Sequence, residues 1–354
     1  RLKMSLNQGI DIIIPIYNAF DDLTKCIESI LRHTNLSQNG LILINDASPD
    51  ERIASYLDSL SAENITVIHN NYVKKENAMK LDIIAVYENL DGYLLEMEKE
   101  NADCEMLWDK YAIQPYWYKI SQWAPFDMSD RKPQPIKNIF KLKQQIEVMR
   151  NIDINDIKHR FMQIVNALPN YDDDPIVIAI YPVDDDNLIV KENQNGVWGV
   201  NVFGNILLNI NPLAKNYLEW IPYVFAHEYH HSVWGNYWHV VHGGRTGKFI
   251  ESMLIDGQAD DFAKSFNPSL NPKWISQISS EQEKELWNKH YSKLLNETDV
   301  DYCKYMFGDD EVGIPWCAGY FFGYRIVEYF KRNYPLTSAK EMIEMNSDEI
   351  YAMS

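Results

Sequence analysis

One stretch limits what this chain can be. Residues 221–234 read I-P-Y-V-F-A-H-E-Y-H-H-S-V-W, in which His227, Glu228 and His231 stand as H-E-x-x-H. On a helix, positions four apart lie on one face, one turn apart. Two imidazoles placed so can reach one ion, with Glu228 beside the ion's open side. Zinc suits two ring nitrogens, one carboxylate and a water. It draws the pKa of that water toward ~7, within reach of a Glu acting as base. Chemistry of this kind hydrolyses amide bonds, so a peptide or protein is the expected substrate. Ile221, Val224, Phe225 and Val233 recur around the motif at helical spacing, which predicts a buried helix. The competing reading is an ordinary amphipathic helix whose two histidines are satisfied by core hydrogen bonds.

Zinc with three protein ligands needs one more donor after the two histidines. A glycine-rich link, V-V-H-G-G-R-T-G over 240–247, leads to a second helical stretch, F-I-E-S-M-L-I-D-G-Q-A-D-D-F over 249–262. That stretch offers two carboxylates, Glu251 and Asp256. His239 and His242, in or near the link, are further candidates for oxyanion donation or for a ligand in a different geometry, with plain surface histidines as the alternative. His230 lies about 100° around the helix from His231 and is expected to point elsewhere. Just before the motif, G-V-W-G-V-N-V-F-G (196–204) and I-L-L-N-I-N (206–211) read as a glycine-rich strand pair. Glycines in an edge strand would let an extended substrate backbone approach closely, and a sheet corner or bulge is the alternative. Further on, Pro315 suits the start of a helix that carries Gly319, Tyr320, Gly323 and Tyr324. The glycines would present a flat face for close packing. Tyr320 is the candidate phenol for the oxyanion.

These motifs carry a resemblance. H-E-Y-H-H, then D-G-Q-A-D, then G-Y-F-F-G-Y-R-I-V resembles a family of predicted zinc-dependent proteases of the gluzincin type, over most of residues 80–354. The family has an E-G-x-A segment on the helix after its H-E-Y-H-H. The resemblance implies Asp256 as third ligand in preference to Glu251, with Asp260 as the acid that steadies a ligand histidine. Here the chain departs from the pattern, since Asp is one methylene shorter than Glu.

The first seventy residues read differently. D-I-I-I-P-I-Y (11–17), L-I-L-I-N (41–45) and I-T-V-I-H (65–69) are short apolar runs expected as buried strands, with helices over 21–33 and 51–60 between them. This βαβαβ order predicts a parallel sheet. D-I-I-I-P-I-Y-N followed by I-N-D-A-S-P-D resembles the opening of a family-2 glycosyltransferase. That resemblance implies a nucleotide-sugar contact at Asp46, with Asn18 closing the first strand. The later D-x-D and catalytic acid of that family have no counterpart past Asn71.

The expected class is therefore α+β: a mostly helical zincin-like metallopeptidase domain with a small sheet over 76–354, preceded by a truncated α/β segment over 1–75. Residues 71–80 are polar and mark the boundary. Leu81 to Ala112 shows three- and four-residue apolar steps and reads as helical, and Tyr116, Trp117, Tyr118 and Trp123 form an aromatic cluster expected in the core. Two other functions compete: a nucleotide-sugar-dependent glycosyltransferase with an accessory C-terminal domain, and a zinc-bearing module that binds without cleaving. The net charge of −18 argues against a nucleic-acid partner. No apolar run reaches the length of a membrane span. The N-terminus lacks a signal-peptide core, so a cytoplasmic location is expected, although the chain does not begin with Met and its N-terminus is read as incomplete. The four cysteines are widely separated and expected to be reduced.

Overall fold

The structure is a computed structural model that describes residues 12–16, 20–36, 39–46, 51–60, 64–70, 81–172 and 174–354. The chain falls into two compact units, Arg1–Ala78 and Met79–Ser354.

In the first unit the three apolar runs form strands: β1 (Ile12–Ile16), β2 (Leu41–Asp46) and β3 (Ile65–Asn70). They pair in parallel in the order β1-β2-β3. Helices α1 (Phe20–His33) and α2 (Glu51–Asp58) make the crossovers. Leu23 and Ile27 of α1 and Ile53 and Leu57 of α2 close a small core on Ile16, Leu41 and Leu43. Asn18, the side chain of Asp46 and the boundary stretch 71–80 lie outside the described residues.

The second unit is built on a four-stranded sheet of order β4-β5-β7-β6. Its strands are β4 (Leu81–Ala85), β5 (Ile176–Pro182), β6 (Val197–Val202) and β7 (Asn205–Ile210). β4, β5 and β7 run parallel, and β6 returns antiparallel to β7. The turn between β6 and β7 is two residues long, Phe203 and Gly204, both at positive φ (47° and 95°). That is the geometry that matches the twist of a tight hairpin, and it puts a phenylalanine where glycine or asparagine is usual. β5 and β7 are buried along their whole length because both faces are covered.

Leu81–Ala85 corrects the helical reading of 81–112. Its periodicity fits a helix locally, but pairing with β5 buries Leu81 and satisfies the backbone as a strand. The rest of that stretch breaks into α3 (Asp91–Met97) and α4 (Cys104–Trp108). α5 (Trp117–Ile120), α6 (Ile139–Met149) and α7 (Ile154–Ala167) follow. The aromatic cluster divides: Tyr116 and Trp117 pack on the core, whereas Tyr118 and Trp123 are exposed.

The motif helix, α8 (Tyr217–Gly235), is buried on nearly every side. It packs against β6, β7, α7 and α9 (Phe249–Phe266). α10 (Ser280–Leu286) precedes α11 (Ala318–Asn333), which lies across α9. Glycines set that crossing. A Cβ on Gly257 of α9 would lie 2.3 Å from the backbone of Gly323 of α11, and one on Gly323 would lie 1.9 Å from the Met253 carbonyl oxygen. Only bare backbones fit at that separation. α11 begins three residues after Pro315, with Cys317 at φ 55° before its first turn. No described helix is long and apolar enough to cross a membrane.

Candidate metal centre

α8 sets the His227 and His231 rings one turn apart on one face. Their Nε2 atoms are 3.0 Å apart and the ring planes stand at 89°. α9 brings Asp256 opposite them: its Oδ1 lies 3.5 Å from His227 Nε2 and 3.3 Å from His231 Nε2. A tetrahedral zinc bound at about 2.0–2.1 Å spaces its ligand atoms roughly 3.3 Å apart. The three atoms match that triangle, and they form a group able to hold a metal ion.

The groups of the centre act strongly on one another. Burial works against the Asp256 charge. Hydrogen bonds from His227 and His231, and then the charges of the two rings, outweigh it and hold the carboxyl below its usual range. Burial likewise pushes His227 toward neutrality, but Asp260 and Asp256 reverse this and make its ring a better base than usual.

Asp260, one turn beyond Asp256 on α9, is fully buried. It accepts from the Tyr223 hydroxyl at 2.9 Å and from Trp274 Nε1 at 3.0 Å to each oxygen. With its carboxylate pinned, it stands 3.3 Å from His227 Nδ1, a charge contact rather than an aligned hydrogen bond. Its charge beside the ring raises the basicity of His227. Asp260→Asn is therefore expected to weaken zinc binding by about 10- to 100-fold, measured by competition with a chromogenic chelator.

Glu251, the other candidate ligand, is not brought to the pair. It stands in the first turn of α9, and its oxygens turn back to the glycine-rich link. Oε1 accepts from Thr246 N (3.1 Å) and Oγ1 (2.9 Å), and Oε2 from Gly247 N (2.8 Å). Glu251 is the clasp of that link.

Glu228 is buried on α8 beside the histidines. Burial raises its pKa, the two rings draw it down, and Asp256 and Asp260 push it up again, with a net rise. Its side chain lies against β6: a Cβ on Gly199 would come 2.4 Å from Glu228 Cγ and 2.6 Å from Oε1. Asn201, on the same face of β6, donates to the Glu228 carbonyl (3.1 Å) and to Ser232 Oγ (2.7 Å). Ser232 Oγ donates to the Gly204 carbonyl at 3.0 Å, so the strand is clamped to the motif helix. Gly199→Ala is expected to displace Glu228 and lower kcat by roughly 100-fold, the scale of a 1 Å misplacement, with zinc content unchanged. Wild-type kcat in that variant would show the contact to be unimportant.

A cavity of about 860 Å³ opens onto these groups. His227, Glu228, His231, Asp256 and Tyr320 all line it. Burial, and then the nearby Asp256, hold the Tyr320 hydroxyl protonated far above neutral pH, so it remains a hydrogen-bond donor. His239 also lines the cavity, whereas His242 is exposed, leans at a tilt on Trp238 and pairs with the Gly244 carbonyl. His230 is fully buried against Phe262, and burial keeps its ring neutral. Tyr302, Trp198 and the Asn201–Ser232 clamp escape the sequence reading. Tyr302 and Trp198 carry no local pattern that marks them. The asparagine and serine meet only through the packing of β6 on α8.

Comparison with known proteins fits this geometry. Residues 154–352, more than half of the chain, match the sequence profile of a family described as predicted Zn-dependent protease (DUF2268). The chain belongs to that family. A protein named Uncharacterized protein YjfC, of Bacillus subtilis (strain 168), is similar at 29% identity over 178 residues, 46% of this chain and 56% of the relative. The chain thus spans little more than half the length of the curated relative it matches. Residues 11–80 match glycosyl transferase family 2. No solved structure matches. Both resemblances read from the motifs are thus present, and the Zn-dependent protease match includes all three atoms of the metal group.

Proposed function

We propose that residues 76–354 form a zinc metallopeptidase domain of the gluzincin type, preceded over 1–75 by a truncated glycosyltransferase-like segment. The observation that carries this reading is the convergence of His227, His231 and Asp256 on one point, with Glu228 and Tyr320 facing the same cavity. The three residues hold the ion. When bound, zinc supplies a Lewis acid that polarises a carbonyl and lowers the pKa of a water to about 7. Glu228 takes the proton of the attacking water and later delivers it to the leaving amine. Its place on the cavity beside the three converging atoms suits both halves of that task. The Tyr320 hydroxyl donates to the carbonyl oxygen as negative charge develops there. Asp260 keeps the His227 ring in place. β6 is an edge strand beside Glu228, and an extended peptide can pair along it, its backbone passing close at Gly199.

The test is metal content by mass spectrometry on the purified full chain, together with hydrolysis of a quenched fluorescent peptide pool. One zinc per chain, with cleavage lost on chelation and restored by zinc, is the expected result. Zinc without cleavage points to a module that binds and does not cut. Absence of zinc, with manganese-dependent binding of a nucleotide sugar, returns the function to the 11–80 segment and its Asp46.

A further inference from the structure

Beside the metal centre lies a second cavity, of about 440 Å³. It shares His227, Glu228, Gly199 and Tyr320 with the first, so a group seated in it reaches the atoms placed around the reaction. Its walls are aromatic: Trp198, Tyr223, Trp274, Phe307, Trp316 and Tyr320. We propose that this cavity receives the side chain of a substrate residue next to the scissile bond and selects an aromatic one. The inference rests on the peptidase reading and adds a substrate class to it.

The chemistry of the lining favours carbon. The Tyr223 hydroxyl and the Trp274 N–H are both spent on Asp260, so these two residues offer the cavity ring surface. Asn187 Oδ1 is occupied by the Val190 amide at 3.1 Å. Ile189, Val190, Val197, Val224 and Cys317 complete the apolar wall, and Gln194 adds one uncharged amide. No lysine or arginine lines it among the described residues. Its only charged groups are His227 and Glu228, which belong to the metal centre.

The wall is also fixed in shape. Trp220, Tyr223 and Trp274 interlock with ring centroids 5.5–6.1 Å apart, and Asp260 ties two of them to the metal helices. The volume falls in the range of about 300–1,000 Å³ typical of pockets that bury a small ligand. An aliphatic side chain would bury carbon there without the ring-on-ring contacts that aromatic pairs add. A cationic side chain is the serious competitor, because indole faces attract cations. It would also pair with Glu228 and tie up the proton acceptor.

The experiment is calorimetric titration of the zinc-supplemented full chain carrying Glu228→Gln. The ligands are blocked tetrapeptides, acetyl-Gly-Gly-Xaa-Ala-amide, with Xaa as Phe, Trp, Leu, Lys or Gly. The Phe or Trp peptide is expected to bind at least about tenfold tighter than Gly, and severalfold tighter than Leu and Lys. Leu equal to Phe, Lys tightest, no discrimination, or no binding at millimolar concentration each overturns the proposal. A second arm fills the cavity with Val190→Phe, which should weaken the Phe peptide at least tenfold more than the Gly peptide. Equal affinities in the folded variant would also overturn it, and the peptide series decides alone if that variant does not fold. Hydrolysis of the same peptides by the zinc-loaded wild-type chain reports separately on the peptidase reading. Discrimination without hydrolysis keeps the cavity and removes the peptidase, and hydrolysis without discrimination does the reverse.

Discussion

With Glu228 replaced by Gln, peptide hydrolysis is expected to fall by on the order of 10²–10⁴, the span that a positioned general base contributes. Zinc content should stay at the wild-type value. The two effects separate because of where Glu228 stands. It lies next to His227 in sequence but is not in the group of three whose atoms converge. It faces the cavity and the bare backbone of Gly199. Gln keeps the shape that Gly199 accommodates and removes only the ability to take a proton. Stability should hold or rise slightly, because Glu228 is a buried carboxyl whose charge burial disfavours, and a neutral group of equal size escapes that cost. The measurements are kcat/KM on a cleaved peptide, zinc by mass spectrometry and the thermal midpoint. A rate within a few-fold of wild type would remove Glu228 from the chemistry. Loss of zinc with loss of rate would make it a ligand instead. Gly199→Ala is the companion, since it leaves the carboxylate intact and moves it.

His227, Glu228 and His231 are legible in the sequence from their spacing on one helix. Spacing on the next helix offers Glu251 and Asp256 alike, and the preference for Asp256, with Asp260 behind it, is what the family resemblance implies. The edge-strand glycine was visible as a glycine-rich strand, though not the side chain it makes room for. What escaped depends on distant packing. Leu81–Ala85 carries apolar steps that suit a helix, and only the partner strand β5, more than ninety residues on, makes it a strand. The Tyr223 and Trp274 hydrogen bonds to Asp260 join three separate elements. The close crossing of α9 on α11 uses Gly323 and Gly257, whereas Gly319 packs on Met306 and Tyr305 instead.

Glu251 and Asp256 pose the sharpest contrast between local pattern and folded geometry, because each stands at a plausible distance from the histidines along the chain. Asp256→Ala is expected to weaken zinc binding by roughly 10²–10³-fold. Structural zinc sites bind with about 10–16 kcal/mol shared over four ligands, so one ligand accounts for about 2.5–4 kcal/mol. The histidine pair would remain, so partial occupancy at high zinc is compatible with this result, and hydrolysis at limiting zinc should be lost. Glu251→Ala should keep the metal and act elsewhere. Its carboxylate accepts from the Thr246 and Gly247 amides and the Thr246 hydroxyl, so removal frees the link between α8 and α9. Thr246 and Gly247 are exposed, so their amides turn to water and each lost hydrogen bond costs only its net value, about 0.5–1.5 kcal/mol. The physical reason for the division of labour was present in the chain. A glutamate in the first turn of a helix sits where unpaired backbone N–H groups collect, and it turns to them. A carboxylate two turns in has its own backbone satisfied and can face the neighbouring helix. Parallel zinc measurements on the two variants decide the assignment: loss with Glu251 alone would move the third ligand and leave Asp256 a buried partner of the histidines.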